Sequence, residues 1–375
     1  MFQTDVLSYK TSDSRYDLLK FLLAMMIVAL HTRLWPSVLL PWLRVAVPLF
    51  FMVSGYFFFH KIDKLGSTRE QWAAMGHFAA RSAKLYLIWL AVWSVPTFET
   101  HAYFQHGFLS GIGKFCFDLL FGQTFAASWF LSANILGTLL VFIMRKRKWL
   151  CAAVSLGLYA VCVMTAVYGK ALPEFTGALS SALPGYTFYF SFPAAMLWLW
   201  LASMIAKIPD GEFRNPLPWI VLTLIGIVLL YGENHLVTTR HWVRDSDVYA
   251  SLAILCPAVF MAVRTIPRFT MRHSLSLRHA SVIIYCTHAT VAKLLIEYFK
   301  TQHTVQPQLG VYTFIITALV SALFCTAIIL AARRWHYFNH AYYNTPRFSD
   351  RHNYGGMTRN RYICKKEENQ NGKTI

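Results

Sequence analysis

The chain has 375 residues, of which 56% are hydrophobic and only 14% charged. Soluble domains carry about 25% charged residues, so the composition excludes an ordinary soluble enzyme and predicts an all-α, polytopic membrane helix bundle. The formal net charge of +18 raises nucleic acid as a partner, a reading that the placement of the charges excludes.

The opening MFQTDVLSYKTSDSRYD lacks the short apolar core and cleavage site of a secretory signal, so the first apolar run is expected to stay as a membrane helix. Runs of about 20 apolar residues predict ten spans, at 17–35, 44–59, 82–99, 125–144, 149–168, 187–206, 216–232, 248–266, 281–298 and 309–332. An even number puts both termini on one side, with the turns near 60–81, 145–148, 207–214 and 264–280. Counting Lys84 with its neighbouring loop, that side holds 27 of the 35 Lys and Arg residues; the other side and the outer helix halves hold 8. This is the positive-inside asymmetry, which predicts cytoplasmic termini. A membrane domain over 1–335 and a basic, partly disordered tail over 336–375 follow. Of the seven cysteines, Cys151, Cys162, Cys256, Cys286 and Cys325 fall in apolar runs and read as small packing residues. No cysteine belongs to a metal-binding spacing, and no metal or phosphate-loop motif is present.

Charged groups at the bilayer centre cost roughly 2.5–3.5 kcal/mol each, which makes every ionisable residue in a span a candidate for function. In the first run, LKFLLAMMIVALHTR, ten apolar residues separate Lys20 from His31. Eleven helical steps return to nearly the same face and place His31 ~16.5 Å above Lys20. Lys20 reads equally as a snorkelling anchor, and His31, beside Arg33 and Trp35, as an interfacial residue. The second run, RVAVPLFFMVSGYFFFHK, begins at Arg44 and is interrupted by Pro48 and by Ser54-Gly55. Ser-Gly there suits close helix packing. RSAKLYLIW carries Arg81 and Lys84 on one face at the cytoplasmic mouth of the third run, as an anchor or as a clamp for a polyphosphate.

The loop over 100–124 is expected to hold an amphipathic segment with Phe108, Ile112, Phe115 and Leu119 on its apolar side. Ser128, Trp129 and Asn134 open the fourth span, with Asn134 expected to hydrogen-bond between helices. In the ninth, SVIIYCTHATVAKLLIEYF, His288 falls seven residues past Ser281, ~10 Å into the membrane. Lys293 and Glu297 follow at i, i+4 and can pair.

In order, RYDLLKFLLAMMIVALH, PLFFMVSGYFFF, the Arg81/Lys84 pair, SWFL at 128–131 and SVIIYCTH at 281–288 resemble the acyltransferase-3 family of integral-membrane acyltransferases. RVAVPLFFMVSGY is most similar to the branch that O-acetylates bacterial surface glycans. The family usually has Arg where Lys20 stands. The resemblance implies an inner-membrane enzyme with no permanently bound cofactor, acetyl-CoA as co-substrate, and a hydroxyl of a surface polysaccharide or its lipid-linked precursor as acceptor. Lys20, Arg81 and Lys84 then hold the CoA phosphates. His31 is the general base, His288 shapes or polarises the site, and Ser54 supplies an oxyanion donor. Arg33, Arg44, Trp129, Asn134, Lys293 and Glu297 meet the acceptor or shape the site. The rival readings are a proton-coupled transporter or flippase of a glycan precursor, with the same histidines as a relay, and an assembly subunit whose polar residues only pack helices.

Overall fold

The computed structural model describes residues 13–32, 37–209, 212, 215–301 and 308–344, and among them all regular structure is helical. Contacts divide the chain into two units, Met1–Thr326 and Ala327–Ile375. In the second, the described residues are helical; the first carries everything below.

Helix α1 (Ser14–His31) starts where the Asp13 carboxylate caps the Arg15 amide, and ends where the Thr32 hydroxyl folds back onto the Val28 carbonyl at 2.8 Å. A 3₁₀ turn at Ser37–Leu39 and a single turn, α2 (Leu40–Leu43), reverse the chain into α3 (Ala46–Ile62). Pro48 lies in the first turn of α3. There its missing N–H leaves no intrahelical bond unmade, so it opens the helix rather than interrupting it.

The largest departure from expectation is α4 (Thr68–Val92), which begins inside the segment assigned to a cytoplasmic turn. Its cause is local: Ser67 and Glu70 form a complete capping box, each side chain bonding the other's backbone amide at 3.2 Å. Then come α5 (Ser94–His101), α6 (Phe108–Phe121), α7 (Trp129–Met144), α8 (Lys148–Thr165) and α9 (Pro173–Ala182). The last five helices are α10 (Phe192–Ile205), α11 (Leu217–Thr239), α12 (Leu252–Thr265), α13 (Ser274–Thr301) and α14 (Gln308–Asn344). Helix α6 is the amphipathic segment of the 100–124 loop, with Phe108 and Leu109 69% and 84% exposed. Cys151, Cys162, Cys256, Cys286 and Cys325 are buried.

Each of the ten apolar runs thus carries a helix, but among the described residues five stretches are long and apolar enough to cross a membrane on those grounds alone: Leu40–Ile62, Lys148–Thr165, Leu217–Thr239, Ser274–Phe299 and Gly310–Ile328. The shorter apolar helices are α7, α10 and α12. Helices α1 and α4 carry charge where lipid would demand none: Arg15, Asp17 and Lys20 in one, Arg69, Glu70, Arg81 and Lys84 in the other.

Helix α10, nearly all buried, packs against α3, α7 and α8. Its Leu199 is wedged between two glycines. A methyl at Gly55 would meet Leu199 Cδ2 at 3.0 Å, and one at Gly137 would meet Cδ1 at 2.7 Å. The Ser54-Gly55 dipeptide therefore does bring helices close, as small residues do in membranes. The outer face of α11 exposes Ile220, Val221, Leu224, Ile225 and Val228, a lipid-facing wall. Its inner face meets α12 at Gly226, where a methyl would lie 2.9 Å from the Leu255 Cα. Gly226→Ala should therefore destabilise the protein by about 1–3 kcal/mol, read as a lower melting temperature in detergent. Gly157→Ala, on α8 with nothing within 4 Å, should leave it unchanged or raise it.

Candidate functional site

Helices α1 and α13 make the most extensive helix–helix contact in the molecule, and they run parallel. At one end the Asp17 carboxylate accepts from Arg278 Nε at 2.8 Å and Nη2 at 3.0 Å, and from Ser274 Oγ at 2.5 Å. At the other end the rings of His31 and His288 meet edge to face, 5.0 Å between centroids. The sequence reading set His288 deeper than His31. The structure corrects this: α13 begins at Ser274, seven residues before the apolar run, and its register on α1 brings the histidines level.

His288 is fully buried. Its Nδ1 lies 3.0 Å from the Ile284 carbonyl; a carbonyl only accepts, so Nδ1 carries a proton and Nε2 of the neutral ring holds a lone pair. That Nε2 is buried without a hydrogen-bond partner among the described residues. His31 is exposed at the end of α1, with Arg44 near enough for its charge to act on it. The turn carrying His288 is held in place. Trp93 Nε1 donates to the Cys286 carbonyl at 2.9 Å, and the Tyr285 hydroxyl donates to the Ala127 carbonyl at 2.9 Å. Ala127 sits at φ +63° in the loop where Ser128 Oγ accepts from the amides of Thr124 and Phe125.

At the opposite end, Lys20 lies half-buried with its ammonium 5.7 Å from the centre of the Phe57 ring. Arg81 and Arg278 are near enough for their charges to act on it. Arg81 and Lys84 are exposed on α4, with no acidic partner among the described residues. Arg278 is the residue that sequence reasoning missed. The signal was a second basic–spacer–histidine run, with nine residues between Arg278 and His288 where ten separate Lys20 from His31.

The Ser54 hydroxyl accepts from Asn134 Nδ2 at 3.1 Å, so Asn134 bonds between helices as expected. Trp129 packs on Phe51 and Phe190. Lys293 is exposed and donates to Thr100 Oγ1 at 3.3 Å, and Glu297 is also exposed. Arg33 falls outside the described residues. Arg44 lies near His31 and forms an ion pair with Asp247. Burial pushes the nearby Asp245 carboxyl up, against the opposing pull of Arg44. No cluster of three or more metal-ligating side chains occurs among the described residues.

Among the described residues, the α1–α13 pair thus carries two histidines at one end and the charged groups Asp17, Lys20 and Arg278 at the other. Residues 13–331 match the acyltransferase domain of the acyltransferase-3 family, and the chain belongs to that family. No curated protein and no solved structure matches it. The chain is therefore a membrane acyltransferase.

The Asp17–Arg278 pair is asymmetric: side-chain exposures are 3% and 36%. Removing Arg278 strands a buried carboxylate, whereas removing the carboxylate leaves a guanidinium that reaches water. Arg278→Ala should therefore lower stability by at least about 1–3 kcal/mol, and more than Asp17→Asn does. Thermal unfolding of the two variants in the same detergent checks the order.

Proposed function

We propose that the protein is an O-acyltransferase of the bacterial inner membrane that moves an acetyl group from cytoplasmic acetyl-CoA to a hydroxyl of a surface polysaccharide or its lipid-linked precursor. The observation that carries this reading is the packed α1–α13 pair, with basic residues at one end and two histidines in contact at the other, in a chain of an acyltransferase family. Lys20, Arg81, Lys84 and Arg278 are suited to the CoA phosphates. Lys20 presents a point charge and the arginines a planar fork. The ~16.5 Å from Lys20 to His31 is the length that the pantetheine arm would follow to bring the thioester to the histidines.

His31 takes the proton of the acceptor hydroxyl as its oxygen bonds to the thioester carbonyl carbon. The C–S bond then breaks, and the departing CoA sulfur takes the proton from the imidazolium, leaving an ester and free CoA. His288 is a positioning residue. The 5.0 Å centroid separation is within a ring rotation of an N–H···N contact, so its unpartnered Nε2 can accept the other ring proton of His31 and fix its tautomer. In this reading the ten helical runs all span, 1–335 forms the membrane domain, and the tail over 336–375 is cytoplasmic.

Single-turnover transfer from labelled acetyl-CoA to purified acceptor is the test. General-base catalysis is typically worth 10²–10⁴-fold, so His31→Gln should slow transfer by at least the lower figure while leaving acetyl-CoA affinity intact. His288→Gln should cost less. Arg81→Glu should show the converse pattern, weakening donor binding most at low salt. Wild-type transfer by folded His31→Gln, beside an inactive His288→Gln, would reverse the two roles.

Topology has its own measurement. Reporter fusions after Lys207 and after Ile375 should behave as cytoplasmic, and one after Arg244 as exported. An exported C-terminus would mean that one run fails to span.

A further inference from the structure

Beyond the histidine pair, on the His31 side, lies a cavity of about 360 Å³. Its walls come from α2 and Arg44, from the end of α11, and from the loops after α8 and α11. Among its lining residues are Arg44, Lys170, Asn234, His241, Ser246 and Tyr249, and none is an aspartate or glutamate. The Tyr249 hydroxyl donates to Asn234 Oδ1 at 2.9 Å. The loops are tied together by their backbones: Lys170 N–H donates to the Trp242 carbonyl at 2.8 Å, and the amides of Arg244 and Asp245 share the Ala166 carbonyl. Lys170 itself is exposed, and its ammonium has no acidic partner among the described residues.

The charge pattern is selective. Eight Lys and Arg residues fall outside the basic side of the chain: Arg33, Arg44, Lys114, Lys170, Arg240, Arg244, Lys293 and Lys300. Four of these eight line this cavity or flank its lining residues: Arg44, Lys170, Arg240 and Arg244; by the same measure three carboxylates flank it, Asp245, Asp247 and Glu233, the last held by the amides of Ala250 and Ser251. Asp247 answers Arg44, and Asp245 lies within range of Arg44 and Arg244. Lys170 remains uncompensated at the wall. A general outward anchor would scatter such residues around the bundle rather than gather them at one opening lined with hydroxyl and amide groups.

We infer that this cavity is the acceptor subsite and that it takes a saccharide bearing a negative charge, a carboxylate or a phosphate. The inference rests on the acyltransferase reading above and adds the charge class of its acceptor. Lys170 meets the anion, His241 and Arg44 border it, and Asn234, Ser246 and Tyr249 offer the hydrogen bonds that sugar hydroxyls need. Arg44 joins the two sites, since it lines the cavity and lies near His31.

The experiment measures equilibrium binding to the full chain in nanodiscs. The probes are a glucuronic-acid-containing oligosaccharide, its carboxyl-reduced neutral twin, and a sugar phosphate with its dephosphorylated counterpart. At low ionic strength at least one anionic probe should bind ten-fold or more tighter than its neutral twin, and added salt should shrink that preference. Lys170→Gln should abolish the preference, while Lys170→Arg, which keeps the charge, should retain it. Equal binding of charged and neutral twins, no binding of either anionic probe, or a preference that survives in folded Lys170→Gln would overturn the inference. CoA release is read separately. Charge-selective binding without CoA release to any acceptor would support the site while sinking the acyltransferase assignment.

Discussion

The bidentate contact between Asp17 and Arg278 sets the register of two parallel helices, and the site at the far end depends on that register. A slip of one turn moves one helix ~5.4 Å along the other, which is more than the 5.0 Å between the His31 and His288 centroids. Apolar packing alone does not specify such a register in a membrane, where lipid tails are as apolar as the side chains they replace. A carboxylate that must find two guanidinium nitrogens and the Ser274 hydroxyl has one solution. The charged residues that keep α1 from qualifying as an ordinary membrane span are therefore the ones that align it.

The same logic runs through the interior. Leu199, seated between Gly55 and Gly137, brings α3 and α7 onto the central α10. That closeness lets Ser54 and Asn134 bond across α3 and α7. Tyr285 and Trp93 secure α13 by donating to backbone carbonyls at Ala127 and Cys286, so the neighbourhood of His288 is stiff. His31 is the last residue of α1 and is exposed. One histidine is buried and the other exposed, and that difference, rather than depth, separates the roles proposed for them.

Much of this was legible in the sequence. All ten apolar runs carry helices, the amphipathic segment after Thr100 is α6, and the shared face of Lys20 and His31 follows from helical geometry alone. What stayed hidden falls into two kinds. Helix ends were misjudged where hydropathy outvoted capping: Ser67-Thr68-Arg69-Glu70 is a capping box that starts α4 in a segment read as a turn, and Ser274 starts α13 ahead of its apolar run. Pairings between distant helices were not readable at all. Nothing local to Arg278 announces Asp17 as its partner, and nothing local to Ser54 announces Asn134 as its partner. Periodicity reports which face a residue occupies, and only the packed bundle reports what that face meets.

The two ends of the α1–α13 pair solve opposite electrostatic problems. At the base, exposed Arg81 and Lys84 stand beside half-buried Lys20 with little acidic compensation, an arrangement that favours an arriving polyanion and is screened by salt. At the top, a permanent charge would have to be solvated by the bundle at several kcal/mol. The groups placed there are imidazoles, which can be neutral at rest and charged only while they hold a proton in transit. Arg44, a fixed cation near His31, is matched by the Asp247 carboxylate. A reaction that starts and ends with neutral histidines suits this environment. The division of labour between fixed cations and titratable rings thus follows from where each lies relative to water.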